Sequence, residues 1–374
     1  MACCGAGARR DRADLKQHHY RQVQGPSEFV YTVFIVRRIV WLILLVMIGG
    51  AGWLAWALLM PVQPSGQTVV LLRPGYSTRR IAAELKNAGV IRSKEAFVLW
   101  HYYHRGRSLK AGEYLFDKAA NIIQIQKRLR RGDVYFHTLV VPEGFTMFDI
   151  AAAMQQAGLG SADDFLKEAQ TDTALIADLD PEAKSLEGYL FPDTYQFSHM
   201  MTMQEMAAAM VKQFRQVAAQ IGLTSSPLRV VSDGASSLSP HEVVTMASIV
   251  EKETALPEER PLVASVYYNR LEKHIALDAD PSVIYAERLK GTFQGALHHA
   301  DMQVSSPYNT YRNAGLPPGP IGNPGRSSLE AAMHPAQSDF YYFVADAQGH
   351  HRFARTIEEH NKNVVAYRKA MRGR

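Results

Sequence analysis

Two glutamates, Glu251 and Glu253, have the residue type and spacing that acid–base chemistry requires. They are two positions apart, so on a helix they lie on nearly opposite faces. Glu253 follows Ile249 and Val250 by one turn, and it falls in the last turn, where the helix dipole presents partial negative charge. Both surroundings disfavour a carboxylate and keep the acid protonated, which suits a general acid. From these residues alone, an amphipathic helix with a solvated Glu-Lys-Glu end is the simpler interpretation.

The helix that carries these glutamates is predicted over residues 240–255. Ser239 is suited to the N-cap, Pro240 to the first helical position, and Glu242 completes a capping box three residues after the cap. Pro257 disfavours helix at the residue before it, which limits the far end. The two carboxylates are therefore expected at the end of a mostly apolar helix.

Motifs for other kinds of catalysis are missing from the sequence. The segment from His241 to Thr245 is not a zinc-binding HExxH motif, because its last position is threonine. His298-His299 and His350-His351 are adjacent pairs, which point to opposite faces of a strand and rarely share a metal. The sequence also contains no G-x-S-x-G, Walker A or G-x-G-x-x-G motif. Carboxylates in an aromatic-rich region remain as the catalytic candidates.

The chain has 374 residues, which is enough for two or three domains. Its charged residues are unevenly distributed along the sequence. Residues 72–133 hold fourteen basic and five acidic residues, whereas residues 134–374 hold twenty basic and twenty-eight acidic residues. A basic region near a hydrophobic stretch favours anionic lipid or an anionic polymer over duplex DNA. The only cysteines, Cys3 and Cys4, offer no disulfide framework or cysteine metal site to the rest of the chain.

The hydrophobic stretch runs from Ile39 to Met60 and contains 22 uncharged, largely apolar residues. That is long enough to span a bilayer, which takes ~20 residues. A buried core helix or a cleaved signal peptide is the alternative, but the polar segment before it is long for a signal peptide. We predict a transmembrane helix over residues 36–60 after a disordered tail of residues 1–35. Arg37-Arg38 favours a cytoplasmic N-terminus.

A strand, a turn and a helix occur twice, about 69 residues apart. The turns comprise residues 74–77 and 142–146, and Ser77 and Thr146 are the predicted helix caps. The repeat is a common strand–turn–helix unit, and its first copy, within residues 67–135, also resembles LysM glycan-binding modules.

Aromatic residues lie between the two copies, close to several arginines. They either stack on sugars or form the buried face of one helix. The residues concerned are Trp100, Tyr102, Tyr103 and His104.

Several blocks of sequence together resemble one bacterial family, the MltG (YceG-like) endolytic lytic transglycosylases. The resemblance runs from about residue 67 to 370 and includes the single N-terminal membrane span. The blocks occur in one order, at residues 187–188 with 191–194, 247–254, 263–266 with 269–271, 280–285, 306–311, 315–321 and 334–336.

The resemblance implies a reaction. Members of the family cut glycan strands of nascent peptidoglycan within the strand, after N-acetylmuramic acid, and leave a 1,6-anhydro end. An ordinary glycosidase needs two carboxylates. Here one acid protonates the glycosidic oxygen and then takes the proton of the C6 hydroxyl, which attacks C1. The family motif places that acid at Glu253, and the cut would terminate glycan polymerisation.

The resemblance also assigns the other site residues. It implies that Glu251 supports the acid and that no metal or cofactor is needed. The candidate sugar-binding residues are Glu187, Asn269, Asp280, Asn309 and Tyr311. Two of these residues also have structural interpretations. Asp280 could serve as a helix N-cap and Asn309 as a turn residue instead of binding sugar.

The predicted architecture is α+β. It comprises a single N-terminal transmembrane helix, a linker of residues 61–66, a small LysM-like α+β module of residues 67–135 and a larger α+β catalytic domain of residues 136–374. The chain is expected in the bacterial inner membrane, with the N-terminus cytoplasmic and the catalytic domain periplasmic. Expected partners are glycan strands, membrane lipid and peptidoglycan synthases, and no nucleic acid.

Two other functions are compatible with these residues. One is a muramidase that uses water for the same bond. The other is a non-catalytic peptidoglycan-binding scaffold of the cell-wall synthesis machinery, in which the glutamate helix is structural.

Overall fold

The computed structural model describes residues 28–104, 108–229 and 237–372. Within these ranges, twelve α-helices alternate with four two-stranded antiparallel sheets. The mixed content confirms the predicted α+β class.

Helix α1, Glu28–Leu59, is apolar and long enough to cross a membrane. Within its span Thr32–Leu59, an 18-residue window has a mean hydropathy of 2.2. The helix begins before the predicted boundary, so the expected disordered tail is wrong for residues 28–35. The reason is that residues 33–36 are all apolar and continue the helix, while Arg37 and Arg38 are accommodated within it. Residues 1–27 of the predicted tail lie outside the described residues.

The first unit follows this helix and has the order strand–helix–helix–strand. Its core includes the end of α1, where Ala57 and Leu58 are buried with Leu85 and Phe97. β1 pairs with β2 in antiparallel register. The elements are β1 Thr68–Leu72, α2 Thr78–Asn87, α3 Lys94–Tyr103, β2 Gly112–Phe116 and a following helix, α4 Ile122–Arg131.

Helix α3 does not bury its aromatic end. Its buried residues are Ala96, Phe97 and His101, whereas Tyr102 is 62% exposed and Tyr103 is 79% exposed. The interpretation that these aromatic residues form one buried helix face is therefore wrong for Tyr102 and Tyr103.

The second unit repeats the same order, and β3 pairs antiparallel with β4. Ser77 and Thr146 cap α2 and α5 as predicted, by accepting from the amides of Arg80 and Asp149. The second helix and the returning strand of each unit extend the repeat beyond what the sequence pattern predicted. The elements are β3 His137–Val140, α5 Met147–Gln156, α6 Ala162–Thr171, a short 3-10 helix Thr173–Leu175 and β4 Thr194–Phe197.

The remaining elements pack on the second unit around the central helix α8. The residues of α8 from Val243 to Val250 are all buried in one core with α5, α7 and α9. The elements are α7 Met203–Ile221, β5 Leu228–Arg229, β6 Ser237–Leu238, α8 Pro240–Glu253, α9 Arg260–Glu272, α10 Asp280–Lys290, the 3-10 helix Asp301–Gln303, α11 Arg326–Met333, β7 Tyr342–Ala345, β8 His351–Ala354 and α12 Ile357–Arg372.

Helix α8 begins as the sequence predicted. The Ser239 hydroxyl accepts from the Glu242 amide, the Glu242 side chain returns to the Ser239 amide, and proline occupies the first turn. The helix ends at Glu253, two residues before the predicted end, because Thr254 has extended backbone. Glu253 is thus the last helical residue, at the negative end of the helix dipole.

Candidate active site

Glu253 is held by a tyrosine from the neighbouring helix. The Tyr267 hydroxyl of α9 donates a hydrogen bond of 2.8 Å to Glu253 Oε1. Tyr267 is only 2% exposed, and its ring packs edge-on against Phe343 of β7. Because the tyrosine is buried and fixed, it holds the carboxyl group in one position.

The surroundings of Glu253 favour its protonated form. Burial raises the pKa of Glu253 to about 7, and the negative charge of Asp280 acts in the same direction. The hydrogen bond from Tyr267 lowers the pKa but is the weaker influence. A carboxylic acid with this pKa can donate a proton near neutral pH and take one back afterwards.

Asp280 and Tyr311 lie beside Glu253. The Tyr311 hydroxyl donates to Asp280 Oδ1 at 2.5 Å, and the negative charge of Glu253 contributes to the raised pKa of Tyr311. Both residues are exposed. The structure therefore brings three of the sequence-predicted site residues together on an accessible surface.

The predicted N-cap role of Asp280 is wrong. Ala279 occupies the N-cap position of α10, and Asp280 is the first helical residue. The carboxyl group of Asp280 bonds to Tyr311 across the site instead of to an amide of its own helix. Tertiary contact has thus replaced the local cap that the Asp-Pro sequence favours.

Glu251 faces different neighbours from Glu253, as the helix periodicity predicts. Its Oε1 accepts from Arg260 Nη2 at 2.8 Å, and its Oε2 accepts from the Gly325 amide at 2.9 Å. Arg260 also reaches Glu143 Oε2 at 3.3 Å. Burial raises the pKa of Glu251, whereas the Gly325 amide and Arg260 act in the opposite direction. Glu251 therefore joins the end of α8 to α9, to α11 and to the second-copy turn.

Glu187 lies beneath the surface, at the start of α5. It is 1% exposed, and its carboxyl group accepts from the Met147 amide at 3.1 Å and from Asn323 Nδ2 at 2.9 Å. Burial raises its pKa to about 8, and Lys252 and Asp149 are its charged neighbours. These contacts tie the turn before α5 to the loop around Asn323, so Glu187 organises one wall of the site.

Asn269 and Asn309 hold backbone segments. Asn269 Nδ2 donates to the carbonyl oxygens of Ser338 and Phe340, both at 2.9 Å. The Asn309 side chain is fully buried, and its Oδ1 accepts from the Tyr311 amide at 3.0 Å. The structure does not bring these two amides to the surface beside Glu253. Their contacts instead position β7 and the loop that carries Tyr311.

A pocket lies between the start of α5, the end of α8 and helix α10. Its lining includes Lys252 and Pro281, the chain neighbours of Glu253 and Asp280, but not those two carboxylates themselves. Burial lowers the pKa of Lys252. Arg288 Nη1 donates to Asp149 Oδ1 at 2.6 Å on the pocket wall. The remaining lining residues are Thr146, Ile284, Tyr285 and Ile321.

Sequence reasoning missed Tyr267 and Arg260, which hold Glu253 and Glu251. Both lie on α9 and are nearly fully buried. A polar group that is buried must be paired, but the sequence does not reveal that these two are buried or which residues pair with them. The only available signal was that Tyr267 lies between two quoted blocks of the resemblance, residues 263–266 and 269–271.

Together, the fold and the site define a class: an α+β protein with one apolar N-terminal helix and an acid–base site at the end of a buried helix. The chain belongs to the YceG-like family, whose model matches residues 70–366.

Two proteins with sequences similar to this chain both bear the name endolytic murein transglycosylase. One is the endolytic murein transglycosylase of Bacillus subtilis strain 168, which is 35% identical over 337 residues, or 86% of this chain and 91% of that protein. Another is the endolytic murein transglycosylase of Streptococcus pneumoniae R6, which is 31% identical over 83% of this chain and 60% of that longer protein.

A crystal structure of a putative YceG-like protein from Listeria monocytogenes is also similar. It has a TM-score of 0.51 and 34% identity, and the alignment covers 79% of this chain and 98% of that one.

Proposed function

We propose that this protein is a membrane-anchored endolytic lytic transglycosylase that cleaves peptidoglycan glycan strands. The observation that carries the proposal is the position of Glu253, an acid with a pKa raised to about 7 beside an accessible surface. The relatives in Bacillus and Streptococcus that bear the name endolytic murein transglycosylase support the same activity.

In the proposed reaction, Glu253 donates its proton to the glycosidic oxygen between N-acetylmuramic acid and N-acetylglucosamine as the bond from that oxygen to C1 breaks. The resulting carboxylate then takes the proton of the muramic C6 hydroxyl, whose oxygen bonds to C1. The product is a 1,6-anhydro end, Glu253 regains its proton, and no water is consumed. Tyr267 keeps the carboxyl group in place through both steps.

The other predicted site residues have different roles in this proposal. In it, Asp280 and Tyr311 contact sugars beside Glu253, whereas Glu187, Asn269 and Asn309 hold the walls of the site through their hydrogen bonds. Glu251 supports the helix end.

One observation favours a second candidate, a muramidase that uses water. Asp280 supplies a second carboxylate near the acid, and glycosidases use such a pair to activate water or form a covalent intermediate. The hydrogen bond from Tyr311 occupies one oxygen of Asp280, which leaves that carboxylate less free to hold a water molecule. We therefore place the transglycosylase first.

The test uses the full chain in detergent with uncrosslinked glycan strands, and mass spectrometry of the products. We expect anhydro ends, whereas a muramidase gives ends that are heavier by one water. Glu253→Gln should reduce cleavage by about 10³-fold, since it removes the proposed proton donor. Glu272→Gln, at the exposed end of α9, is the matched control and should retain activity.

The scaffold alternative predicts a different outcome. If wild type and Glu253→Gln both bind glycan and neither cleaves it, the protein is not this enzyme. Full cleavage by a folded Glu253→Gln would show that another residue is the acid.

We further propose that the first unit, within residues 67–135, is a LysM-like glycan-binding module and that residues 136–374 form the catalytic domain. The strand–helix–helix–strand order of the first unit supports this proposal. So does its exposed surface, where Leu99 and Tyr102 line an open groove with Arg79 and Lys94. Apolar rings beside cationic side chains suit sugars that carry acidic peptides.

We also propose that α1 spans the inner membrane with its N-terminus in the cytoplasm and that glycan synthases are partners of the periplasmic part. The only cysteines of the chain, Cys3 and Cys4, allow a direct test of orientation. A membrane-impermeant maleimide should not label the wild type in intact spheroplasts. It should label Gln348→Cys, whose side chain is exposed in the turn between β7 and β8. Labelling of the wild type would reverse the orientation.

A further inference from the structure

Three side chains from separate parts of the chain meet where the two units join. Glu113 lies on β2, His137 begins β3 and His199 follows β4. His137 Nε2 is 3.1 Å from Glu113 Oε1, and His199 Nδ1 is 2.9 Å from Glu113 Oε2. The Glu113 side chain is 4% exposed, so two imidazole rings share one buried carboxyl group. Burial raises the pKa of Glu113, but the hydrogen bonds with the two histidines and their charges together leave it below its ordinary value.

The contact made by the second ring nitrogen of His199, Nε2, determines which of the two ring nitrogens carries the hydrogen. Nε2 is 2.7 Å from the carbonyl oxygen of Gly158, an atom that only accepts, so Nε2 carries the hydrogen. In the neutral ring, Nδ1 then holds a lone pair that faces the carboxylate of Glu113, which also only accepts. A positive charge must lie between these two acceptors. It is either a proton on Nδ1 or a metal ion that both atoms bind.

The chemistry of the cluster matches a metal site. The candidate ligand atoms of Glu113, His137 and His199 all lie within 4.8 Å of one another. Tetrahedral zinc with ligands at about 2.0–2.1 Å needs ligand atoms about 3.4 Å apart, which small side-chain rotations supply. The bond from His199 to the Gly158 carbonyl is the orienting contact that metal-bound histidines usually make with their other nitrogen. Two imidazoles and one carboxylate suit zinc and neighbouring transition metals better than calcium or magnesium.

We propose that Glu113, His137 and His199 bind one divalent transition-metal ion, with zinc as the best match. The ligands come from both units, so the ion fixes the first unit against the second. This site lies apart from Glu253 and its partners. Its role is to stabilise the arrangement of the units.

The test uses the full chain in detergent, stripped with a chelator and then dialysed against a low concentration of ZnCl₂. Metal analysis should find about one zinc per chain in the wild type and less than a tenth of that in His137→Gln/His199→Gln. Cobalt(II) on the stripped wild type should give the visible bands of a tetrahedral site with nitrogen ligands. This second measurement needs no variant and therefore does not depend on how the variant folds.

Another histidine cluster provides the matched control. His350 and His351 both contact Glu259, with Nδ1 to oxygen distances of 3.2 and 2.6 Å. His351→Gln should leave the zinc content unchanged, and zinc should raise the melting temperature of this variant as it does that of the wild type. Wild type that retains no more zinc than the double variant, or shows no cobalt bands, would overturn the proposal and leave a proton as the charge at His199.

Discussion

The two strand–helix–helix–strand units have the same order of elements but different surroundings. Gly75 and Gly144 occupy equivalent turns with φ of +82° and +75°. A methyl group on Gly75 would meet no atom within 4 Å, whereas one on Gly144 would lie 3.5 Å from both Glu251 and Lys252. The amide of Gly144 also donates to the Asn323 carbonyl at 2.8 Å. The first turn is therefore open, and the second is packed against the end of the helix that carries the acid.

The difference shows how one supersecondary unit can have two uses. In the second copy, the start of α5 donates to Glu187, and Glu143 reaches Arg260, so the unit becomes a wall of the site. In the first copy, the corresponding surface is free, and α3 presents Leu99 and Tyr102 to solvent. One copy is thus packed against the candidate active site, and the other leaves these two side chains open to solvent.

The largest effect in this comparison is expected at the ion pair that anchors the second-copy turn. Glu251→Gln removes one partner of the buried Arg260 and should lower the free energy of unfolding by about 3–5 kcal/mol. Displacement of the helix end should reduce kcat/KM by about 10²-fold. Urea unfolding and glycan cleavage measure the two effects.

The matched control is the Arg80–Glu84 pair of the first copy, in which Arg80 is exposed and Glu84 is half-buried. Glu84→Gln should cost no more than about 1 kcal/mol and leave the rate unchanged. Equal losses in the two variants would contradict the contrast between the copies.

A second prediction concerns the two turns themselves. Gly144→Ala and Gly75→Ala both place a Cβ in a left-handed conformation, and each should cost about 1–2 kcal/mol of stability. Only Gly144→Ala should reduce kcat, by about tenfold, because only that turn contacts Glu251 and Lys252. Thermal unfolding should therefore show similar losses of stability in the two variants, whereas kcat should fall only in Gly144→Ala. A similar kcat for both variants would mean that the second turn does not help to position Glu253.

A third prediction follows from the pKa of Glu253, which burial raises to about 7. The acid must be protonated to start the reaction, so kcat/KM should fall about tenfold per pH unit above 7. Tyr267→Phe removes a hydrogen bond that lowers this pKa and should therefore shift the falling limb to higher pH. An unshifted limb in a folded Tyr267→Phe would mean that another group controls it.

The same pKa has a consequence for stability. Because the folded pKa lies above the unfolded value, the stabilisation of the protonated acid is present below about pH 4.5 and is lost as the pH rises through about 7. Glu253→Gln should therefore be as stable as the wild type at pH 4 and more stable at pH 8. Glu95→Gln in the first copy should lack that gain, because hydrogen bonds lower the pKa of Glu95.

The smallest effect is expected on the open copy. Tyr102→Ala removes an exposed ring from α3 and should weaken binding of long glycan strands by several-fold, with kcat on short fragments unchanged. Co-sedimentation with peptidoglycan measures the binding. Gln170→Ala, at the equivalent exposed position of the second copy, should bind as the wild type does. Equal loss from Gln170→Ala would mean that both copies hold glycan.

Features that depend on neighbours in the chain were predictable from the sequence. The capping box of Ser239 and Glu242, the caps at Ser77 and Thr146, and the apolar N-terminal helix all follow from residues within one or two turns of each other. The opposite faces of Glu251 and Glu253 follow from helix periodicity alone. These features fixed where the acid lies on its helix and which glutamate has apolar neighbours.

Only the tertiary structure decided which groups those side chains meet. Tyr267 reaches Glu253 from the next helix, and Asp280 bonds to Tyr311 rather than capping its own helix. Glu113 meets His199 from 86 residues away, a separation over which no local sequence pattern acts. Caps and periodicity act over a few residues, where the chain itself sets the distance. Burial, pairing and pKa depend on how whole elements pack, and no local pattern contains that information.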